Sequence, residues 1–443
     1  MSKHFRPWKI DETYLLPASV HDYVPADHLS RFIVALVRES LDLSELVGSY
    51  TSRLGQPPFD PWMMTGLLLT AYASGFYSSR RIAKACIERA DFMMIAAGDP
   101  PDFRTISDFR KRHLQALALL FVQVLKLAEK AGLVKLGHVA LDGTKIKANA
   151  SKHKAMSYDR MKKREAELQA EVDGWLAAAE AADAEEDKLY GDKRGDEMPD
   201  WVADKQKRLE RIRAAKAELE AEAKAAAEDE TRRREEAEQK RIAEGRKKNG
   251  RTPAPPKTEP DDKTQRNFTD PDSRVLLTKD GYIQGYNAQA AVDAEAQIIV
   301  AHQLTASMSD HGQLVPLVDG IDTNLGRKPC QASADSGYLS EANLAALDQR
   351  KIEPYIATGR AKHPTETKRN VGGVLTTAMR EKLKQQGWQS PYRLRKQTVE
   401  PVFGQIKQAR GFRQFLLRGI EKVRAEWAMI CTAHNLTKLA RAT

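Results

Sequence analysis

Cysteine is scarce in this sequence. Cys86, Cys330 and Cys431 are far apart, and no Cys-x-x-C pair occurs. This spacing argues against a zinc finger and a disulfide framework, and it predicts a reducing, cytoplasmic location. The longest apolar run, 63–73, is interrupted by threonine and glycine, so it falls short of the roughly 18–20 apolar residues of a membrane span. The first eight residues also lack the apolar segment of a secretion signal. We therefore expect no membrane partner.

The charge balance points to a polyanionic partner. The 443 residues carry a formal net charge of +10, with 41% hydrophobic residues. A basic excess raises the local concentration of nucleic acid, although many soluble proteins are mildly basic for no such reason. The length is enough for a sizeable core and for two or three domains.

Residues 1–134 predict a helical N-terminal DNA-binding domain. Apolar residues recur at helical spacing over 29–37, 61–72, 82–93 and 106–127. Asp60 followed by Pro61 is a typical helix start. The basic residues that we expect to contact DNA here are Arg80, Arg81, Arg110 and Arg112. A plain helical bundle with solvated arginines explains the same pattern equally well.

Residues 151–265 form a charged region rich in Lys, Arg, Glu and Ala. Two apolar stripes predict a long helical hairpin, the second of them close to a heptad. The stripes are Met161, Leu168, Val172, Trp175, Leu176 and Leu209, Ile212, Lys216, Leu219, Ala223. Gly191, Gly195 and Pro199 would separate the helices, and 250–260 is a Pro-rich linker. Such charge runs are usually solvated helix faces.

The remaining segments, 135–150 and 266–443, have α/β patterning. Strands are predicted over 137–149, 285–293, 296–304, 331–335 and 353–358, and helices over 314–321, 398–408 and 423–440. These segments together predict one α/β domain, interrupted by the helical hairpin.

Three acidic residues stand out in this domain. Asp142 follows the apolar run 139–141, Asp335 follows a short strand, and Glu400 lies at the predicted start of a helix. Carboxylates from strand ends and a helix can converge at one edge of a sheet. Hard oxygen ligands of this kind select Mg²⁺ or Mn²⁺, and two such ions can clamp an in-line phosphoryl displacement. Individually, each residue also fits a structural role: a hairpin turn at Asp142, a turn or cap at Asp335, and a helix-dipole partner at Glu400.

The joint context resembles the DDE transposases of bacterial insertion sequences. Segments 141–151 and 335–340 are similar to the first-Asp and second-Asp motifs, and 399–407 is similar to the Glu motif, with Lys407 two helical turns beyond Glu400. Segments 59–113, 267–274 and 285–289 also fit that family. The motifs occur in the family's order, and the resemblance covers nearly the whole chain except the charged region.

The resemblance implies a fold, an activity and a set of partners. It implies an RNase H-like catalytic core, with Asp142, Asp335 and Glu400 as catalytic metal ligands. It also implies DNA nicking by water at the element end, strand transfer by the freed 3′-hydroxyl, and a homodimer acting on double-stranded DNA at the nucleoid. Region 151–265 accounts for the long spacing between the two aspartates. It either binds DNA, binds a second protomer, or is a tolerated spacer.

The basic residues around Glu400 depart slightly from the family pattern. Tyr392 and Arg395 keep the family's Tyr-x-x-Arg spacing, but Arg395 is one position further from Glu400 than usual, and Lys396 holds the expected place. We expect Tyr392, Lys407 and one or both of Arg395 and Lys396 to contact DNA phosphates. A basic solvated surface is the structural alternative.

Other functions remain open at this stage. The chain could be a DNA-binding regulator or an inactive transposase remnant, in which the carboxylates are structural. A junction-cleaving or RNase H-type nuclease would share the fold and the metal chemistry. A coiled-coil scaffold built on 151–265 would leave the strands after residue 266 unexplained.

Overall fold

The computed structural model describes residues 19–50, 57–190, 200–243, 245, 254–278, 280–359 and 373–442. The chain divides into two compact units. The first unit comprises residues 1–146, 287–417 and 421–443, and the second comprises 147–286 and 418–420. Among the described residues, no helix combines the length and apolarity needed to cross a lipid bilayer.

The chain begins with seven α-helices, and eight strands and seven further helices follow among the described residues. The helices are α1 (Leu29–Glu39), α2 (Ser44–Gly48), α3 (Pro61–Ala73), α4 (Ser79–Glu88), α5 (Ala90–Ala96), α6 (Phe103–Arg112), α7 (Leu114–Lys130), α8 (Tyr158–Tyr190), α9 (Asp200–Ala243), α10 (Leu314–Leu325), α11 (Glu341–Gln349), α12 (Val374–Gln386), α13 (Leu394–Gly404) and α14 (Ile420–Leu439). The strands are β1 (His138–Lys147), β2 (Ala155–Ser157), β3 (Gln265–Asn267), β4 (Arg274–Thr278), β5 (Gly281–Asp293), β6 (Ile299–Thr305), β7 (Gln331–Ala334) and β8 (Glu353–Ile356). Short 3-10 turns occupy Val20–Tyr23, Lys152–Lys154, Ser336–Tyr338, Gly387–Gln389 and Pro391–Arg393, and a π-helical turn occupies Gln405–Ala409.

The first helices confirm the predicted helical region and the predicted start of α3. The Asp60 carboxylate accepts hydrogen bonds from the backbone N–H groups of Trp62 and Met63, which α3 cannot satisfy internally. The predicted helix over 82–93 is two helices, because Arg89 is extended and its guanidinium binds Asp91 at 2.8–3.0 Å.

A second break divides the predicted helix over 106–127. His113 leaves helical geometry between α6 and α7, and its ring lies 3.1 Å from the Tyr50 hydroxyl. At both breaks, a residue that hydrophobic periodicity predicts to be helical makes a polar side-chain contact instead.

A mixed sheet forms the centre of the first unit. Its strand order is β6-β5-β1-β7-β8. Strand β6 is antiparallel to β5, whereas β7 is parallel to both β1 and β8. Consecutive buried residues in β1 (139–141) and β5 (286–293) indicate strands covered on both faces. The paired strands predicted over 285–293 and 296–304 are confirmed as β5 and β6.

Two polar side chains of helix α14 form hydrogen bonds with this sheet. The indole N–H of Trp427 donates to the backbone oxygen of Gln289 at 3.1 Å. The Asn435 amide both accepts from the backbone N–H of Ile299 and donates to its carbonyl, at 2.9 and 2.8 Å. The predicted helix over 423–440 is confirmed, and these contacts fix its position beside β5 and β6.

The second unit contains the predicted helical hairpin. Helices α8 and α9 pack through an apolar cluster of Tyr158, Met161, Leu168, Leu209, Ile212, Ala215 and Leu219. Lys216, which falls within the predicted stripe, instead points its amine at the Glu165 carboxylate, 3.0 Å away. Strands β2 and β3 pair antiparallel, and β4 pairs with the first residues of β5. The predicted break at 191–199 and the first residues of the predicted linker lie outside the described residues, as does the Leu176 side chain.

Candidate active site

Asp142 and Asp335 lie at matching positions of two neighbouring parallel strands. The register of β1 and β7 pairs His138 with Gln331 and Ala140 with Ser333. Continued by two residues, this register sets Asp142 beside Asp335, and neighbouring strands are about 4.8 Å apart. The His138 ring contacts the Ser333 hydroxyl at 2.9 Å, which confirms that alternate side chains of the two strands share one face.

The position of Asp142 differs from the predicted strand end. It lies in the middle of β1, and its Oδ1 accepts a hydrogen bond from the N–H of Gly143 at 2.9 Å. The alternative of a hairpin turn at Asp142-Gly143 is therefore wrong. Strand β7 is shorter than β1, so Asp142 lies level with the point at which β7 ends.

Asp335 directly follows β7, as predicted. Its Oδ1 accepts a hydrogen bond from the N–H of Gly337 at 2.8 Å and caps the 3-10 turn Ser336–Tyr338. The capping role considered from the sequence is thus present together with the strand-end position. One oxygen anchors the carboxylate while the group remains half-buried.

Arg395 joins two of the three predicted catalytic carboxylates. Its Nη2 donates to Asp142 Oδ2 at 2.9 Å, and its Nη1 donates to Glu400 Oε1 at 3.2 Å. The Arg395 side chain is 11% exposed, that of Asp142 15% and that of Glu400 49%. Glu400 lies within α13 rather than in its first turn, so the helix-dipole alternative is wrong. The bridge brings a strand carboxylate and a helix carboxylate to one cation.

Burial and neighbouring charges shift the acidity of this cluster. Burial raises the pKa of Asp142 to about 6; the positive charge of Arg395 opposes that rise, whereas the negative charge of Asp335 adds to it. Burial also raises the pKa of the Tyr392 hydroxyl, and the charge of Arg395 opposes that rise. Asp335 and Arg395 therefore lie within electrostatic reach of both groups, and the site favours a bound cation.

Lys407 contacts β1, the strand that contains Asp142. Its Nζ lies 3.0 Å from the Thr144 hydroxyl and 3.3 Å from the backbone oxygen of Lys145. The residue lies in the π-helical turn Gln405–Ala409, so the regular helical spacing assumed between Glu400 and Lys407 does not hold. The wider turn sets the lysine beside β1, two residues beyond Asp142.

Sequence reasoning missed a polar network behind the carboxylates. Asp310 Oδ1 accepts hydrogen bonds from the side-chain amides of Asn287 and Gln289, both at 2.7 Å. Gln289 in turn accepts a hydrogen bond from the buried hydroxyl of Tyr338. A Cβ added to Gly337 would lie 3.0 Å from Asp335 Oδ1 and 3.2 Å from Asp310 Oδ2, so the two carboxylates are near neighbours. Segments 285–289 and 335–340, which carried the resemblance, are thus linked through this network.

The remaining predicted DNA contacts fall into two groups. Lys396 is exposed and Tyr392 is half-buried beside the carboxylates. In the helical region Arg80, Arg81 and Arg112 are exposed, each above an aromatic ring. Arg110 is only 6% exposed, and its guanidinium donates to the Tyr72 hydroxyl and to the backbone oxygen of Tyr77. This placement argues against the predicted DNA contact at Arg110, which serves the core of the helical region.

The donor set fits a hard divalent cation, although the present conformation holds a guanidinium instead. The three predicted ligands offer only carboxylate oxygens, which Mg²⁺ and Mn²⁺ prefer. Arg395 already provides a positive charge between Asp142 and Glu400. Within the described part of the chain, no three His, Cys, Asp or Glu side chains are arranged as a metal-binding group.

Comparisons with known proteins find similarity to transposases in two segments of the chain. Residues 18–112 match a family described as Transposase domain (DUF772), and residues 358–440 match the Transposase DDE domain. A protein of Burkholderia cepacia, assigned as the transposase for insertion sequence element IS402, is 35% identical over 85 residues. That segment is 18% of this chain and 40% of the relative, so the match spans less than half of the relative's length. No solved structure matches the chain.

The two matched segments contain much of what carried the resemblance. The DDE match includes Tyr392, Arg395, Lys396, Glu400 and Lys407, and the other match includes α1 to α6. The predicted resemblance to bacterial insertion-sequence DDE transposases is therefore confirmed.

Proposed function

We propose that this chain is a bacterial insertion-sequence DDE transposase that carries out metal-dependent DNA cleavage and strand transfer at the ends of its element. Asp142, Asp335 and Glu400 are the proposed catalytic and metal-binding residues. The closeness of the three carboxylates carries the proposal: the β1–β7 register sets the two aspartates side by side, and Arg395 connects Asp142 to Glu400.

The chain order of the elements supports an RNase H-like core for this activity. Between β1, which contains Asp142, and β7, which precedes Asp335, lie the long strands β5 and β6 and the helix α10. In the proposed RNase H-like core, these elements take the places of the second and third strands and the first helix. Residues 147–286, the main segment of the second unit, account for most of the remaining spacing and support the proposal that 151–265 is an insertion.

The carboxylates would hold two Mg²⁺ or Mn²⁺ ions, which supply Lewis acidity and neutralise the charge around the scissile phosphate. Asp142 and Asp335 lie close enough on adjacent strands to share an ion, and Glu400 approaches from α13. Oxygen ligands held on two strands and a helix are rigid, which favours an in-line geometry of attack.

The basic side chains would position the DNA. Arg395, Lys396 and Lys407 flank the carboxylates and would contact phosphates on both sides of the reacting bond. In the first step, water attacks the phosphorus and the bond to the 3′-oxygen breaks, leaving a free 3′-hydroxyl. In the second step, that hydroxyl attacks a phosphodiester of the target DNA and displaces its 3′-oxygen.

We propose double-stranded DNA as the partner, at the element ends and at the target. The exposed Arg80, Arg81 and Arg112 of the helical region are the proposed contacts outside the catalytic centre. Two element ends must be joined to one target, so a homodimer on DNA at the bacterial nucleoid is the proposed active form.

Transposition in cells tests this proposal. A donor plasmid carries a selectable marker between the element's terminal repeats, and the chain is supplied separately as wild type, Glu400→Gln or Asp348→Asn. Asp348 is an exposed acid of α11 and serves as the matched control. We expect the marker to move with wild type and the control but not with Glu400→Gln. Equal repression of the element's promoter by all three proteins, without movement, would instead identify a non-catalytic DNA-binding regulator.

A further inference from the structure

The second unit contains a groove lined by positive charge. It encloses about 550 Å³ between the segment that leads into β2 and α8 on one side and helix α9 on the other. We call it the basic groove and define it by five exposed cations: Lys154, Arg160, Lys207, Arg208 and Arg211. Phe268 and Met156 contribute half-buried apolar surface, and Asp204 is the acid in its lining.

The charges of the basic groove are unpaired. None of its five cations forms an ion pair with a carboxylate in the described part of the chain. On α9, Lys207 and Arg208 lie one turn from Arg211, so three like charges occupy one helix face. Such an arrangement is unfavourable for an isolated helix and becomes favourable when an anion binds across the face.

Several other cations of the same hairpin form ion pairs within it. Arg213 and Lys216 both bind Glu165 at 3.0 Å, and Lys205 binds Glu171 at 2.6 Å. Further along α9, Arg232 and Arg233 both bind Asp229. These five cations are paired with carboxylates of the hairpin itself, whereas the cations of the basic groove have no carboxylate partner among the described residues.

The apolar residues of the basic groove strengthen the attraction between its cations and a bound anion. Phe268 and Met156 present low-dielectric surface beside the cations, and charge–charge attraction is stronger there than on a fully solvated face. A groove of this kind, open along one side and positive along both walls, matches the negatively charged backbone of a nucleic acid.

We propose that the basic groove binds the phosphate backbone of double-stranded DNA. The choice of DNA as the nucleic acid rests on the proposed function. The second unit is then a DNA-binding arm, which decides among the three roles that the sequence leaves open for this region. The contacts are to phosphates, so the groove adds affinity without reading base sequence.

Binding of a labelled duplex of arbitrary sequence to the full chain tests this proposal. Fluorescence anisotropy is measured over a range of salt concentrations for wild type, for a groove variant (Lys207→Ala, Arg208→Ala, Arg211→Ala) and for a control variant (Lys224→Ala, Arg232→Ala, Arg233→Ala). Both variants remove three positive charges from α9, and alanine preserves the helix. Circular dichroism confirms that both are folded.

Each phosphate contact contributes about 0.9 to the slope of log affinity against log salt, so one lost contact costs about eightfold near 0.1 M salt. We expect the groove variant to bind at least about tenfold more weakly than wild type and with a shallower slope. The control variant stays within about threefold of wild type. Equal binding by the groove and control variants would overturn the groove assignment and leave the proposed function intact. Failure of wild type to bind any duplex would overturn both.

A second measurement avoids substitutions altogether. Lysine acetylation of the wild-type chain is mapped by mass spectrometry with and without the duplex. We expect DNA to protect Lys154 and Lys207, while Lys224, exposed on the same helix as Lys207, continues to react. Protection that depends on protein concentration but not on DNA would identify an interface between protomers, and it would overturn the DNA assignment.

Discussion

The Arg395 guanidinium lies 2.9 Å from the carboxylate of Asp142, a residue 253 positions away in the sequence. The same guanidinium binds Glu400 at 3.2 Å. Two of the three proposed metal ligands are therefore neutralised by a cation that belongs to the protein. A divalent ion that binds Asp142 Oδ2 and Glu400 Oε1 competes with this arginine, and a displaced Arg395 guanidinium becomes free to bind a DNA phosphate.

Replacing Arg395 by alanine is expected to destabilise the metal-free protein. Asp142 and Glu400 lose their shared cation while Asp335 remains close, so the free energy of unfolding falls by about 2–3 kcal/mol, less than for fully buried pairs because Glu400 is half-exposed. Mg²⁺ or Mn²⁺ should raise the melting temperature of Arg395→Ala more than that of wild type, because the ion no longer competes with the guanidinium.

The control for this prediction is Lys396→Ala, which removes an exposed charge from the same helix. Thermal unfolding with and without the metal is the measurement. If Arg395→Ala and wild type melt at the same temperature and gain equally from the metal, the bridge has no role in stabilising the carboxylates.

Gly143 is predicted to tolerate no side chain. A Cβ at this position would overlap the side-chain amide of Gln289 and lie 2.9 Å from the side-chain oxygen of Asn287. Both amides hold Asp310, so Gly143→Ala should disturb the network behind the catalytic aspartates and lower stability by about 1–3 kcal/mol. Chemical denaturation measures the change. Gly137→Ala, where a Cβ has no neighbour within 4 Å, should be close to neutral, and equal losses at both sites would exclude the steric explanation.

Glu426 is expected to make stability depend on pH. It is fully buried, and burial raises its pKa to about 7, while hydrogen bonds from the N–H groups of Leu416 and Leu417 oppose that rise. Because the folded-state pKa is raised, the stabilising contribution is complete below about pH 4.5 and is lost as the pH rises through 7. Between these pH values the free energy of unfolding falls by about 3 kcal/mol, because each unit of pKa shift corresponds to roughly 1.4 kcal/mol.

Urea unfolding of wild type and Glu426→Gln from pH 4 to 8 measures this contribution. The stability difference between the two proteins should shift in favour of the glutamine variant by about 3 kcal/mol as the pH rises, and should level off above pH 7. A difference that does not change with pH would show that Glu426 has the same protonation in the folded and unfolded states.

The sequence predicts the order of the elements well because hydrophobic period and cap residues are local signals. The strand pair β5 and β6, the hairpin of α8 and α9 and the start of α3 at Asp60-Pro61 all follow from such signals. The helix breaks at Arg89 and His113 do not, because each depends on a side-chain contact made in the folded chain.

In the candidate site, too, residues with a local sequence signal are predicted and residues that depend on contacts in the folded chain are not. Asp142 and Asp335 are recognisable because each follows a strand-like run, and the resemblance supplies their order. Asp310 carries no comparable signal, since it lies in a short loop between β6 and α10 and its partners belong to β5. Arg110 looks like a solvated arginine in the sequence, and only its contacts with Tyr72 and Tyr77 reveal that it is buried.

Cleavage of DNA by the purified chain tests the central claim most directly. A labelled fragment carrying the element's terminal repeat is incubated with wild type or Asp335→Asn, with Mg²⁺, with Mn²⁺ and with neither. We expect wild type to nick the fragment at the repeat end only when a divalent metal is present. Asp335→Asn should bind the fragment normally but cleave it at least about a thousandfold more slowly. Binding without cleavage by folded wild type, or equal cleavage by the variant, would contradict the assignment of these carboxylates to catalysis.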